Sequence, residues 1–72
     1  MKQIYIEADN FRDHAIGIAD LGDRKLVFEM NHGYCDLYLK DRNGNVIEEL
    51  DFENPSKKSI NLIARRYGVE FV

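Results

Sequence analysis

Apolar and polar positions alternate with a period of two through most of residues 4–52. Ile4, Ile6 and Ala8 alternate with Tyr5 and Glu7, which predicts a first strand. Ile16 and Ile18 alternate with Ala15, Gly17 and Ala19, a second strand whose small-residue side leaves room for close packing, for instance by a helix. Leu26, Phe28 and Met30 alternate with Val27, Glu29 and Asn31, and Cys35, Leu37 and Leu39 alternate with Tyr34, Asp36 and Tyr38. A fifth strand runs from Val46 to Phe52, where Glu48 interrupts the apolar series and so predicts a bulge or a sheet edge. Between these runs lie a polar segment, 9–13, and the turn sequences Leu21-Gly22-Asp23-Arg24, His32-Gly33 and Asp41-Arg42-Asn43-Gly44-Asn45. Asn-Gly between two alternating runs favours the positive φ of a hairpin turn.

The period then changes. Asn54 reads as an N-cap with Pro55 at the first helical position, and Ile60, Ile63, Ala64 and Tyr67 form one helical stripe. Gly68 is a helix stop, after which Val69 and Phe71 either form a short strand or fold back over the helix end. The expected fold is α+β, in one small domain spanning 1–72: an antiparallel meander of about five strands within 2–52, one C-terminal helix over about 55–67 packed on one face, and a short extension, 69–72. One helix covers one face. The other would then present Tyr5, Glu7, Val27, Glu29, Tyr34, Asp36 and Tyr38, a composition that suits solvent and also suits a protein partner.

Size and charge narrow the function. A chain of 72 residues buries only about 60% of the surface its unfolded form exposes, so a metal, a partner or a self-dimer would add needed stability. Its 44% apolar content is that of a folding chain. Residues 1–53 carry six basic and twelve acidic side chains, net −6, whereas 54–72 carry four basic and one acidic, net +3. An acidic body speaks against a surface devoted to nucleic acid. No phosphate-cradling glycine loop, catalytic Ser–His–Asp order or zinc-protease motif occurs, and no enzyme is expected. A lone cysteine, Cys35, excludes an internal disulfide, and the start MKQIYIEADN has no apolar signal-like stretch. No run suits a membrane span, so a reducing, cytoplasmic setting is expected, that of the host where the gene is viral.

Three groups of residues carry candidate chemistry. A hairpin about Gly22-Asp23 places His14 opposite Asn31, and a turn at His32-Gly33 places Cys35 beside Met30. His14, His32 and Cys35 thus converge on one end of the sheet, where Asp13, Asp36 or water would complete a tetrahedral structural zinc site. The alternative is a plain turn and a small buried thiol with no cofactor at all. The second group is the acidic run Glu48, Glu49, Asp51 and Glu53, extended by Asp41. It either keeps an edge strand soluble or presents carboxylates where a nucleic-acid-binding protein expects phosphates. The third is the outer helix face, where Leu62 is ringed by Lys58, Arg65 and Arg66; it is either a solvated basic face with one stray leucine or, with Lys57, a contact patch for nucleic-acid phosphates or an acidic protein groove.

In size, acidity and compactness the chain resembles the small single-domain inhibitors that phages encode against host defence, the anti-CRISPR proteins among them. That resemblance implies a cytosolic protein without enzymatic activity that binds a Cas effector and blocks DNA loading or cleavage. It assigns no residue a role. The expected partner is therefore a basic or nucleic-acid-binding protein met through the acidic run. The alternative is a small nucleic-acid binder led by the basic helix, which the carboxylates beside the tyrosines disfavour.

Overall fold

In the computed structural model, which describes residues 1–72, the alternating segments become strands β1 (Lys2–Ile4), β2 (Glu7–Asn10), β3 (His14–Asp20), β4 (Lys25–Asn31), β5 (Tyr34–Lys40), β6 (Val46–Glu53) and β7 (Val69–Phe71). One helix, α1 (Lys57–Ala64), runs on into a 3₁₀ turn, Arg65–Tyr67. Strands β2 to β6 form a five-stranded antiparallel sheet in chain order, the expected meander, and the class is α+β. The register is also as expected: Asp20 faces Lys25, His14 faces Asn31 and Met30 faces Cys35.

The turns follow from residues that tolerate positive φ. His32 and Gly33 adopt φ of 49° and 84°, the two-residue hairpin geometry that matches strand twist. In the 41–45 loop only Gly44 is left-handed, at 85°. There the Asp41 carboxylate accepts from the amides of Asn43 and Asn45, each at 2.9 Å, beside backbone bonds from the Asp41 amide to the Asn45 carbonyl at 2.9 Å and from the Gly44 amide to the Asp41 carbonyl at 3.1 Å. β6 is an edge strand, and its register slips where Lys40 pairs with Val46 while Leu39 pairs with Glu48. The bulge expected near Glu48 therefore falls at Ile47.

Three expectations need correction. The first predicted strand divides: β2 stays in the meander, whereas β1 leaves it to pair in parallel with β7. The Ile6 amide donates to the Val72 carbonyl at 2.9 Å and the Val72 amide to the Ile4 carbonyl at 2.8 Å. With the Lys2 amide on the Gly68 carbonyl at 3.1 Å, these bonds flank the β1–β7 pair on both ends. The helix starts later than predicted. Ser56, at φ −82° and ψ 158°, is the N-cap and accepts from the Ser59 amide at 3.1 Å. Asn54 is instead left-handed at φ 46°, and its amide donates to the Gly33 carbonyl at 2.6 Å. Lastly, the group packed on the small-residue side of β3 is not the helix alone.

That group is Phe71. A Cβ on Gly17 would lie 2.7 Å from the Phe71 Cδ1, so the ring occupies the space that a side chain would need. Phe71 also packs 5.7 Å, centroid to centroid, from Phe28, which stacks on Phe11 at 5.9 Å. The polar 9–13 segment therefore contributes an aromatic to the core. The covering layer thus consists of α1 together with the β1–β7 ribbon. It buries a single cluster of twelve residues that includes Ala15, Ala19, Leu26, Met30, Cys35, Ile60 and Ala64. Ile63 and Tyr67 of the helical stripe are partly buried against this cluster, and Gly68, at φ 76°, ends the turn as expected.

One polar residue lies within this layer. Asn61 is buried, and its side-chain amide donates to the Phe71 carbonyl and accepts from the Phe71 amide, both at 2.8 Å. These two bonds tie the helix to β7. Removing the side chain in Asn61→Ala leaves both Phe71 groups unpaired, at about 1–3 kcal/mol each, a large share of the stability of so small a domain. Gly17→Ala is expected to cost about 1–3 kcal/mol by overpacking against Phe71, and Phe71→Leu in the same chain should recover part of it. Denaturant midpoints of the single and double variants check both. Additive losses for Gly17→Ala and Phe71→Leu would show that the ring does not fill this notch.

Candidate functional site

Strand parity assigns each candidate residue to a face. On the uncovered face, β6 presents Glu49, Asp51 and Glu53, which pair with Tyr38, Asp36 and Tyr34 of β5; those in turn face Val27, Glu29 and Asn31 of β4. Carboxylates from three adjacent strands, Asp51, Asp36 and Glu29, therefore stand in one row. Ligand atoms of Asp36, Glu49 and Asp51 lie within 4.8 Å of one another. The Tyr38 hydroxyl donates to Glu29 at 2.6 Å, and burial together with this bond pushes its pKa up to about 12. Hydrogen bonding to Asp51, burial and repulsion from Asp51, Glu49 and Glu29 push Asp36 up to about 6.

The acidic run is not one surface. Glu48 points to the covered side, where its carboxylate accepts from the Tyr67 hydroxyl at 2.8 Å, a bond that raises the Tyr67 pKa. Glu49, Asp51 and Glu53 form the uncovered side. Asp41 is occupied with its own loop. The sequence reading missed the apolar exposure along this strand: Val46 is 50% exposed, Ile47 53% and Leu50 48%. The signal was there in the Glu48 interruption, which marks a strand whose inward side is incompletely covered.

The three proposed zinc ligands are not brought together. The register places His14 and Cys35 at the same end of the sheet, but on opposite faces: His14 shares the open face with Ile16 and Ile18, whereas Cys35 lies in the core. His32 is exposed at the hairpin turn. The contact that joins this end is made by backbone: the His32 and Gly33 amides donate to the Asp13 and Arg12 carbonyls at 2.8 and 2.7 Å. Burial, with repulsion from Asp36 and Asp51, pushes the Cys35 thiol up to about 12. Asp13 is exposed in the loop, and Asp36 belongs to the carboxylate row.

On the helix side, Leu62 is exposed opposite the buried stripe, as the periodicity required. Its ring of cations is reduced. Arg65 bonds Glu70 at 3.0 Å, and Lys57 lies 5.7 Å from the Phe11 ring centroid, leaving Lys58 and Arg66 without an ion-pair partner. No helix of the chain is long and apolar enough to cross a membrane. Comparison with protein-family models, with curated proteins and with solved structures finds no match, so function rests on the geometry.

The carboxylate row makes a pH prediction. The folded pKa of Asp36 stands above its value of 3.8 in a free chain, so between these values the folded state binds more protons than the unfolded one. Its contribution favours the fold at low pH and is lost as pH rises through about 6. Asp36→Asn should accordingly raise Tm at about pH 7 and leave it nearly unchanged at about pH 4. Thermal melts at both values check this; a variant less stable at neutral pH would mean that the row is held by attraction.

Proposed function

We propose that this chain is a non-enzymatic protein-binding module that engages a basic, nucleic-acid-handling protein along strand β6. The observation that carries this reading is the makeup of that edge. Eight residues long, it is exposed at every position except Phe52, and it combines Val46, Ile47 and Leu50 with Glu49, Asp51 and Glu53. Its open face carries the carboxylates Glu49, Asp51 and Glu53, while Leu50 on the inward side and Ile47 at the bulge leave apolar surface beside them, so a partner seated along the edge meets a charged row flanked by an apolar strip. Carboxylates at strand spacing, reinforced by Asp36 and Glu29 behind them, offer a negative row to a groove built for phosphates. Occupying such a groove excludes nucleic acid from it. That is the action implied by the resemblance to phage inhibitors of CRISPR effectors. The basic helix is the weaker surface, because Glu70 neutralises Arg65.

The test compares affinity capture from host lysate by the wild-type chain and by Glu49→Lys/Asp51→Lys/Glu53→Lys. The expected result is a nucleic-acid-binding protein retained by the wild type, displaced by added DNA and lost with the triple variant. The same protein should be retained by Lys58→Glu/Arg66→Glu. Capture that survives the triple reversal but not the helix reversal moves the site to α1.

A further inference from the structure

The uncovered face has a second pole. Where the carboxylate row ends, a pocket of about 470 Å³ opens between the 21–24 and 41–45 loops. Both loops rise from the same end of the sheet, because alternate hairpins of the meander, β3–β4 and β5–β6, turn there, and they wall a depression over the ends of β4 and β5. Its floor is apolar: Ile18, Val27 and the Tyr38 ring stand side by side on three adjacent strands. Its walls carry Arg24, Lys25, Lys40 and Arg42.

These cations lack the partners that so acidic a chain would readily provide. The molecule has only two salt bridges, and of the four only Arg24 takes part, in an exposed pair with its neighbour Asp23 at 3.5 Å. Three carboxylates also line the pocket, but Asp23 pairs with Arg24, Asp41 caps its own loop and Glu29 accepts from Tyr38, which leaves Lys25, Lys40 and Arg42. Lys40 holds its ammonium 5.5 Å from the Tyr38 ring centroid. Lys25 and Lys40 face one another across β4 and β5, a like-charge pair that an intervening anion would relieve.

We propose that this pocket binds a compact organic phosphate of mononucleotide size, its ring or apolar body on Ile18, Val27 and Tyr38 and its phosphate among Lys25, Lys40 and Arg42. The volume lies within the few-hundred-Å³ range of small-ligand sites, and an apolar floor with a few convergent charges is their usual makeup. Charge complementarity selects the phosphate. The carboxylates outside it select compactness: Glu49 pairs with Tyr38, and Asp36 and Asp51 follow on the same face, so a nucleic-acid strand continuing across the face would meet negative charge beyond the pocket.

The test is a titration of the isotope-labelled chain with ADP, followed by amide NMR shifts. Saturable shifts confined to the two loops and to the adjoining ends of β3, β4 and β5 are expected. Adenosine alone and inorganic phosphate alone should each bind at least about tenfold more weakly than ADP, since each forgoes one half of the site. Lys40→Gln/Arg42→Gln should weaken ADP by about tenfold or more with Tm unchanged. The triple reversal on β6 should still bind ADP, which separates this site from the protein-binding edge. The proposal is overturned by the absence of saturable shifts, by shifts centred on α1, by ADP affinity indifferent to Lys40 and Arg42, or by a single-stranded oligonucleotide that binds these residues more tightly than ADP.

Discussion

The covered side of the sheet depends on one aromatic side chain being held in one place. Phe71 lies in the notch that Gly17 leaves in β3, and Asn61 bonds both its backbone groups from the helix. Each part requires the others. A ring can enter only where β3 has no side chain, and a three-residue strand at the end of the chain keeps its position only if its backbone is paired on both sides. β1 supplies one side and Asn61 the other. The helix, anchored in this way, presents Ile60 and Ala64 to the sheet, and the core closes around Phe28.

A single covering layer has consequences for the opposite face. With α1 and the β1–β7 ribbon committed to one side, the other must be soluble, and the chain achieves this with charge. The distribution is uneven. Carboxylates gather toward β6, and cations gather at the end where the 21–24 and 41–45 loops rise. Like charges on neighbouring strands weaken a sheet slightly. The row of Asp51, Asp36 and Glu29 is therefore not explained by stability, and neither is the unpaired group of lysines and Arg42.

Edge and pocket are products of the same topology. A meander leaves its last strand open along one side, and the helix covers β6 only as far as Tyr67 reaches Glu48. It also returns alternate hairpins to the same end, so that two loops separated by sixteen residues of chain become opposite walls of one depression.

The alternation of residues 14–40 determined three strands, their pairing and their register, because a slip of one residue would bring Glu29 and Asn31 into the core in place of Phe28 and Met30. Glu48 marked the edge, and Gly68 the helix end, for equally local reasons. The small-residue side of β3, Ala15, Gly17 and Ala19, was legible as a place of close packing, but what fills it was not: Phe71, from far along the chain, takes the space that Gly17 leaves. The departure of β1 was hidden in the same way, since its partner lies more than sixty residues away. The zinc reading failed on parity. Register brought His14 and Cys35 to one end of the sheet, but side-chain direction put them on opposite faces. Local sequence determines period, turn and register, which depend on neighbouring residues. Tertiary structure alone decides what covers each side, and with it which charges stand on the open face.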